Sequence, residues 1–154
     1  WCGRSLGCAA VRAADRTFVR EQLVKRPSIY PIRSVTKIVE VPPYQGETPI
    51  RCELQALKVG PFLFLTLPGE PMVEFGFQIE KIIADRAIPF IVGYANGSIG
   101  YICTDQAHRE GGYEPNHSAS GPGAEGVLIG ESVKLADRVI ADVFEHFAPT
   151  RPKK

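Results

Sequence analysis

Apolar positions recur along this chain with two periods. From Leu6 to Leu23, LGCAAVRAADRTFVREQL sets Leu6, Ala10, Ala13 or Ala14, Phe18 and Val19 on one stripe at helical spacing. This predicts an amphipathic helix, closed by Lys25, Arg26 and Pro27. Between Arg33 and Val41 the β-branched Val35, Ile38, Val39 and Val41 predict a strand, ended by Pro42-Pro43. The sharpest pattern lies in residues 50–67, where IRCELQALKV alternates, FLFLTL is apolar throughout, and Gly60-Pro61 separates them as the turn of a hairpin. A strand with no polar face predicts burial on both sides, in the centre of a sheet.

After Pro71, MVEFGFQIEKIIADR carries Val73, Phe77, Ile79 or Glu80, and Ile83 at helical spacing, with Pro71 suited to the first turn. Glu70 thereby falls at a strand-to-helix junction, where side chains reach the open end of a sheet. Pro89 to Tyr94, PFIVGY, predicts a second buried strand that turns at Ala95-Asn96-Gly97. The stretch from Gly97 to Gly126 is glycine-rich with little periodicity; loops this long inside a compact domain are usually functional or disordered, and its aromatic content and glycine placement argue against disorder. From about Gly123 to Phe147 a long amphipathic helix is predicted, with PTRPKK (149–154) as a polar tail. Neither an internal repeat nor a dividing linker is visible. The expectation is a mixed α/β (α+β) fold, a buried mixed sheet flanked by helices, with residues 1–154 forming a single domain or part of one.

Composition narrows the function classes. The 154 residues carry 18 Lys plus Arg against 17 Asp plus Glu, a net charge of +1 that gives no field for nucleic acid. The longest apolar run, Pro61 to Pro68, is too short to span a bilayer. The start at Trp1, without Met or an intact signal peptide, leads to the expectation of a processed or truncated piece. Cys52 and Cys103 sit in apolar strand-like surroundings and read as core residues, while Cys2 and Cys8 are open to pairing with each other or elsewhere.

Two readings stand for Glu70. Its carboxylate either caps the following helix or holds a metal ion. Tyr101 in GSIGYICT and Tyr113 in EGGYEP are each flanked by glycine. Each is either a packed loop anchor or a phenol that approaches a ligand, and a phenolate would require a cation or donors beside it. His108, His117 and His146 lack partners at ligand spacing; His108 reads as part of an exposed helical turn and His146 as a partner of a helix C-terminus. No glycine motif opens a βαβ unit in the dinucleotide-binding form.

Taken in order, LTLPGE, GYANGSIGYICT, EGGYEP and SGPGAEGVLIGESVKLADRVI resemble the neutral, non-lysosomal ceramidase family, in the later part of its catalytic domain and in a bacterial-type form. The resemblance runs from about Glu53 through the last helix. It implies zinc-dependent hydrolysis of an N-acyl sphingoid lipid amide to fatty acid and sphingosine by zinc-activated water. It implies Glu70 and Tyr101 as metal ligands and Tyr113 as the catalytic residue that polarises the scissile carbonyl or its oxyanion. The family's two zinc histidines, its serine and an arginine match nothing in this chain. Two histidine ligands are therefore expected outside it, and the chain alone is expected to supply half a site and to be inactive. The resemblance further implies contact with a membrane surface and a secreted, periplasmic or cell-surface location. Alternatives are another amide or ester as substrate, or a non-catalytic binding or structural module on the same fold.

Overall fold

The structure, a computed structural model, describes residues 2–23 and 31–146. The chain divides into two units, Trp1–Tyr30 and Pro31–Lys154. In the first, helix α1 runs over Cys2–Leu23, four residues longer at its start than the apolar stripe indicated. Cys8 on it is a free thiol. The predicted closing residues Lys25, Arg26 and Pro27, the end of the last helix at Phe147 and the tail 149–154 lie outside the described residues, as does the side chain of His146.

The second unit is built on a four-stranded mixed sheet in the order β1-β2-β3-β5. Strands β1 (Ile32–Val41) and β2 (Ile50–Val59) pair antiparallel with Val39 opposite Cys52, and β2 pairs antiparallel with β3 (Phe62–Thr66). The β2–β3 turn is the expected one, with Gly60 at φ +57°. After β3 the chain forms a two-residue strand β4 (Glu70–Pro71), then helix α2 (Val73–Ile83), and returns as β5 (Ile88–Val92) parallel to β3. The segment expected to be a long loop holds β6 (Tyr101–Ile102), paired parallel with β4, and two short helices, α3 (Asp105–Glu110) and α4 (Tyr113–Asn116). Helix α5 covers Ala124–His146.

Alternation along β2 turns Cys52, Leu54 and Ala56 to one face, where they meet Val39, Val41, Leu63 and Leu65 from neighbouring strands. Helices α2 and α5 close this face with Phe75, Ile79, Ile83, Leu128, Leu135 and Val139, all essentially inaccessible to solvent. Cys52 is in this core, as expected, and Cys103 is also buried.

The opposite face departs from expectation. Neither β3 nor β5 is buried on both sides: Phe62, Ile88, Phe90 and Val92 are exposed, and among the described residues β5 is an edge strand. An unbroken apolar run satisfies the helix-covered face with alternate residues only. The others form an aromatic cluster, in which Phe90 stacks on Phe64 at 5.2 Å and meets Phe62 edge-on at 6.0 Å.

One charged group ties α5 to the sheet. Glu131 accepts from Lys134 at 2.8 Å and from Lys37 on β1 at 2.5 Å, and these bonds hold its carboxyl below the ordinary glutamate range. Between the unfolded and the lowered folded value the unfolded chain binds more protons. The stabilisation is therefore present above about pH 4.5 and is lost as pH falls through the folded value. Glu131→Gln should flatten the acid limb of the stability–pH curve, measured by urea denaturation from neutral pH downward, and leave the limb above neutrality unchanged.

Candidate active site

The site begins with two turns that grip each other. Leaving β3, the chain passes through buried Leu67, Pro68 and Gly69 to Glu70, which is exposed. The turn after β5 wraps this segment with backbone bonds: Tyr94 N–H donates to the Gly69 carbonyl (2.7 Å) and Ile99 N–H to that of Pro68 (2.7 Å), while Glu70 N–H donates back to the Gly100 carbonyl (2.9 Å). Approach is closest at Gly69, where an added Cβ would lie 2.3 Å from the Gly100 oxygen. Only glycine fits there. The Asn96 amide, donating to Gln55 Oε1 (3.3 Å) and Thr66 Oγ1 (3.4 Å), fastens the same turn to β2 and β3.

This clamp registers β4 against β6 so that Glu70 stands opposite Tyr101. The helix-cap reading of Glu70 does not survive. Helix α2 starts at Val73 with Met72 as its cap residue, and Pro71, expected in the first helical turn, lies in β4 instead. The Glu70 carboxylate accepts from the Tyr94 hydroxyl at 2.5 Å. Among the described residues it has no cationic partner.

Beyond Tyr101 the row continues. The Tyr101 and Tyr113 rings meet edge-on at 6.0 Å, and His117 stacks on Tyr113 at 4.3 Å with its Nδ1 2.7 Å from the Tyr113 carbonyl oxygen. Glu70, Tyr101 and Tyr113, each picked from a separate motif, thus lie along one exposed or half-exposed strip. Tyr113 opens helix α4 instead of sitting in a bare turn.

The loops beneath are lashed together. The buried Ser118 hydroxyl lies 2.8 Å from both the Tyr101 and the Ser120 carbonyl oxygens and donates to one at a time. Tyr44 N–H donates to the Ala119 carbonyl (2.7 Å), and Gly121 passes so near the Pro43 backbone that a Cβ would lie 2.5 Å from its oxygen. The Thr104 hydroxyl caps α3 by accepting from Ala107 N–H, Asp105 N–H donates to the Glu125 carboxylate (2.7 Å), and Gly123 N–H donates to the Asp105 carboxylate (2.7 Å) at the start of α5.

Electrostatically the strip keeps its phenols protonated. Burial first, then the Glu70 carboxylate, pushes the Tyr101 phenol above its ordinary value. Tyr94 is raised chiefly by its hydrogen bond to Glu70. The Glu70 carboxylate thus disfavours charge on the phenols beside it, and among the described residues no lysine or arginine is paired to it. Among the described residues no three His, Cys, Asp or Glu side chains form a metal-holding group.

His108 is not the exposed residue expected. It is half-buried and stacked on Tyr44 at 5.5 Å, and neither ring nitrogen has a hydrogen-bond partner among the described residues. Tyr94 is the residue of this strip that sequence reasoning did not single out, and His117, weighed there only as a metal ligand, stacks on Tyr113 instead. Tyr94 lay inside a quoted motif, yet its left-handed backbone, φ +53°, has no sequence signature in a tyrosine.

No protein-family model matches the chain. Over 66 residues it is 30% identical to the neutral ceramidase of Mycobacterium tuberculosis, a match covering 40% of this chain and 10% of that protein. The crystal structure of neutral ceramidase from Pseudomonas aeruginosa shares its fold with a TM-score of 0.53 at 24% identity, covering 62% of this chain and 16% of that one. A ceramidase complexed with C2 gives a TM-score of 0.51 at 25% identity, covering 60% and 16%. The chain therefore spans a small part of each relative's length.

Gly69→Ala should cost about 3 kcal/mol in chemical denaturation, because the clash is with backbone and no side chain can yield. Gly76→Ala, with its nearest neighbour at 3.9 Å inside α2, should be neutral or stabilising by up to about 1 kcal/mol. In an ultraviolet titration of the metal-free chain, Glu70→Gln should move the highest tyrosine transitions to lower pH.

Proposed function

Because the chain is related to the neutral ceramidase family, we propose that it carries part of the active site of a ceramidase-like, zinc-dependent amide hydrolase. The observation that carries this reading is the β4–β6 register, which makes Glu70 and Tyr101 cross-strand neighbours although they come from separate motifs. Glu70 and Tyr101 would hold the metal, with two histidines from outside these residues completing the set. When bound, zinc would supply the Lewis acidity that activates water and polarises an amide carbonyl.

This chain's own residues divide the remaining work. Glu70 contributes negative charge on an exposed strand end, and Tyr101, beside it, supplies a second oxygen. Tyr113, whose ring meets that of Tyr101 edge-on, would donate a hydrogen bond from its phenol to the oxyanion that develops as the amide is attacked. His117 stacks on the Tyr113 ring and limits its rotation. The substrate class is an N-acyl sphingoid lipid, met at a membrane surface outside the cytoplasm.

Zinc analysis of the 154-residue chain should show weak binding, and the natural protein that contains it should hold one zinc tightly. Tight stoichiometric binding by the short chain would reject the shared-site reading. On an N-acyl sphingosine, Tyr113→Phe in the natural protein should lower turnover roughly 10²- to 10³-fold. Glu70→Ala should lower it further, with loss of zinc; unchanged hydrolysis in both variants would overturn the enzyme reading.

A further inference from the structure

We propose that Tyr94 is a positioning residue for Glu70: its hydroxyl holds one carboxylate oxygen and thereby fixes which oxygen faces a metal. The proposal rests on the metal-ligand reading of Glu70 given above.

The geometry ties the two residues at two levels. The Tyr94 hydroxyl donates to Glu70 Oε2 at 2.5 Å, while Oε1 has no hydrogen-bond partner among the described residues. At the backbone, Tyr94 N–H donates to the Gly69 carbonyl, one residue before Glu70. Side chain and main chain of the pair therefore move as a unit. A glutamate on an exposed strand end has several rotamers open to it, and a second, shorter anchor removes most of them.

Tyr94 also sits in a conformation that an aromatic residue adopts at a cost. Its φ of +53° lies in the left-handed region, as does that of Asn96 at +63°. The surrounding bonds impose it: Ala95 N–H donates to the Leu67 carbonyl at 3.4 Å, and the Asn96 amide holds Gln55 and Thr66. The ring gains little in return from packing, being 62% exposed. What distinguishes a tyrosine at this position from a smaller, more permissive residue is the hydroxyl and its bond to Glu70.

The first test needs no metal. In the zinc-free 154-residue chain, Tyr94→Phe should shift the Glu70 side-chain carboxyl ¹³C resonance, whereas Tyr44→Phe should leave it in place. An unmoved signal in Tyr94→Phe overturns the proposal. The second test titrates zinc into the chain, Tyr94→Phe, Glu70→Gln and the double variant. Tyr94→Phe should weaken zinc binding about 10-fold in the natural background and not at all beside Glu70→Gln, the pattern of a residue acting through Glu70. Equal loss in both backgrounds, or loss in neither while Glu70→Gln does weaken binding, overturns the positioning role and leaves the metal reading standing. Zinc affinity indifferent to Glu70→Gln overturns the metal reading and the positioning role with it, and the carboxyl signal distinguishes the two failures.

Discussion

The site depends on one close approach between backbones, that of Gly69 to Gly100. With no Cβ between them, the segment leaving β3 and the turn leaving β5 can lie in contact, and the Glu70 N–H reaches the Gly100 carbonyl. A two-residue parallel ladder has little stability of its own. Here the ladder is the visible result of a clamp whose strength comes from the sheet on one side and from the buried Leu67 and Ile102 on the other. The sheet ends, the turns and the pair Glu70 and Tyr101 are therefore one mechanical unit.

A second set of bonds holds the far half of the strip. Ser118 supports the Tyr101 carbonyl, Gly121 lets the 118–121 loop lie against Pro43, and the bonds of Asp105 to Glu125 and Gly123 fix α3 to the head of α5. Tyr113 lies between these anchors. Its orientation towards Tyr101 thus derives from loop chemistry contributed by segments far apart in sequence, from Pro43 to Glu125.

How much of this was legible varies with the physics involved. Alternation in IRCELQALKV and the Gly60-Pro61 break identified the β2–β3 hairpin, because period-two burial and turn chemistry are local. The long helix α5 was visible from its apolar stripe for the same reason. The open aromatic face of β3 and β5 was not, since an apolar run says that burial is favourable and is silent about what covers each side. Of the candidate site, Glu70, Tyr101 and Tyr113 stood out through their motifs. Tyr94 did not, because its placement follows from a left-handed turn enforced by Gly69, Leu67, Gln55 and Thr66, contacts that no local pattern encodes. His108 misled in the opposite direction: a polar residue on a short helix suggested exposure, and stacking on Tyr44 covers it.

The clamp also separates two kinds of distance between Glu70 and Tyr101. In space they are fixed by the ladder. Along the chain they are joined through α2, β5 and a turn whose tip, Gly97 and Ser98, is exposed and makes no backbone bond to the 67–70 segment. Apart from the Ser98 hydroxyl, which accepts from Gly100 N–H, the tip takes no part in the bonds that Tyr94, Ala95, Ile99 and the Gly100 carbonyl make to residues 67–70, so an insertion there leaves those bonds in place. The number of residues between these two side chains is therefore set by the exposed tip, and their pairing by the ladder, so length at Gly97-Ser98 and geometry at Glu70 and Tyr101 are separable properties of the chain.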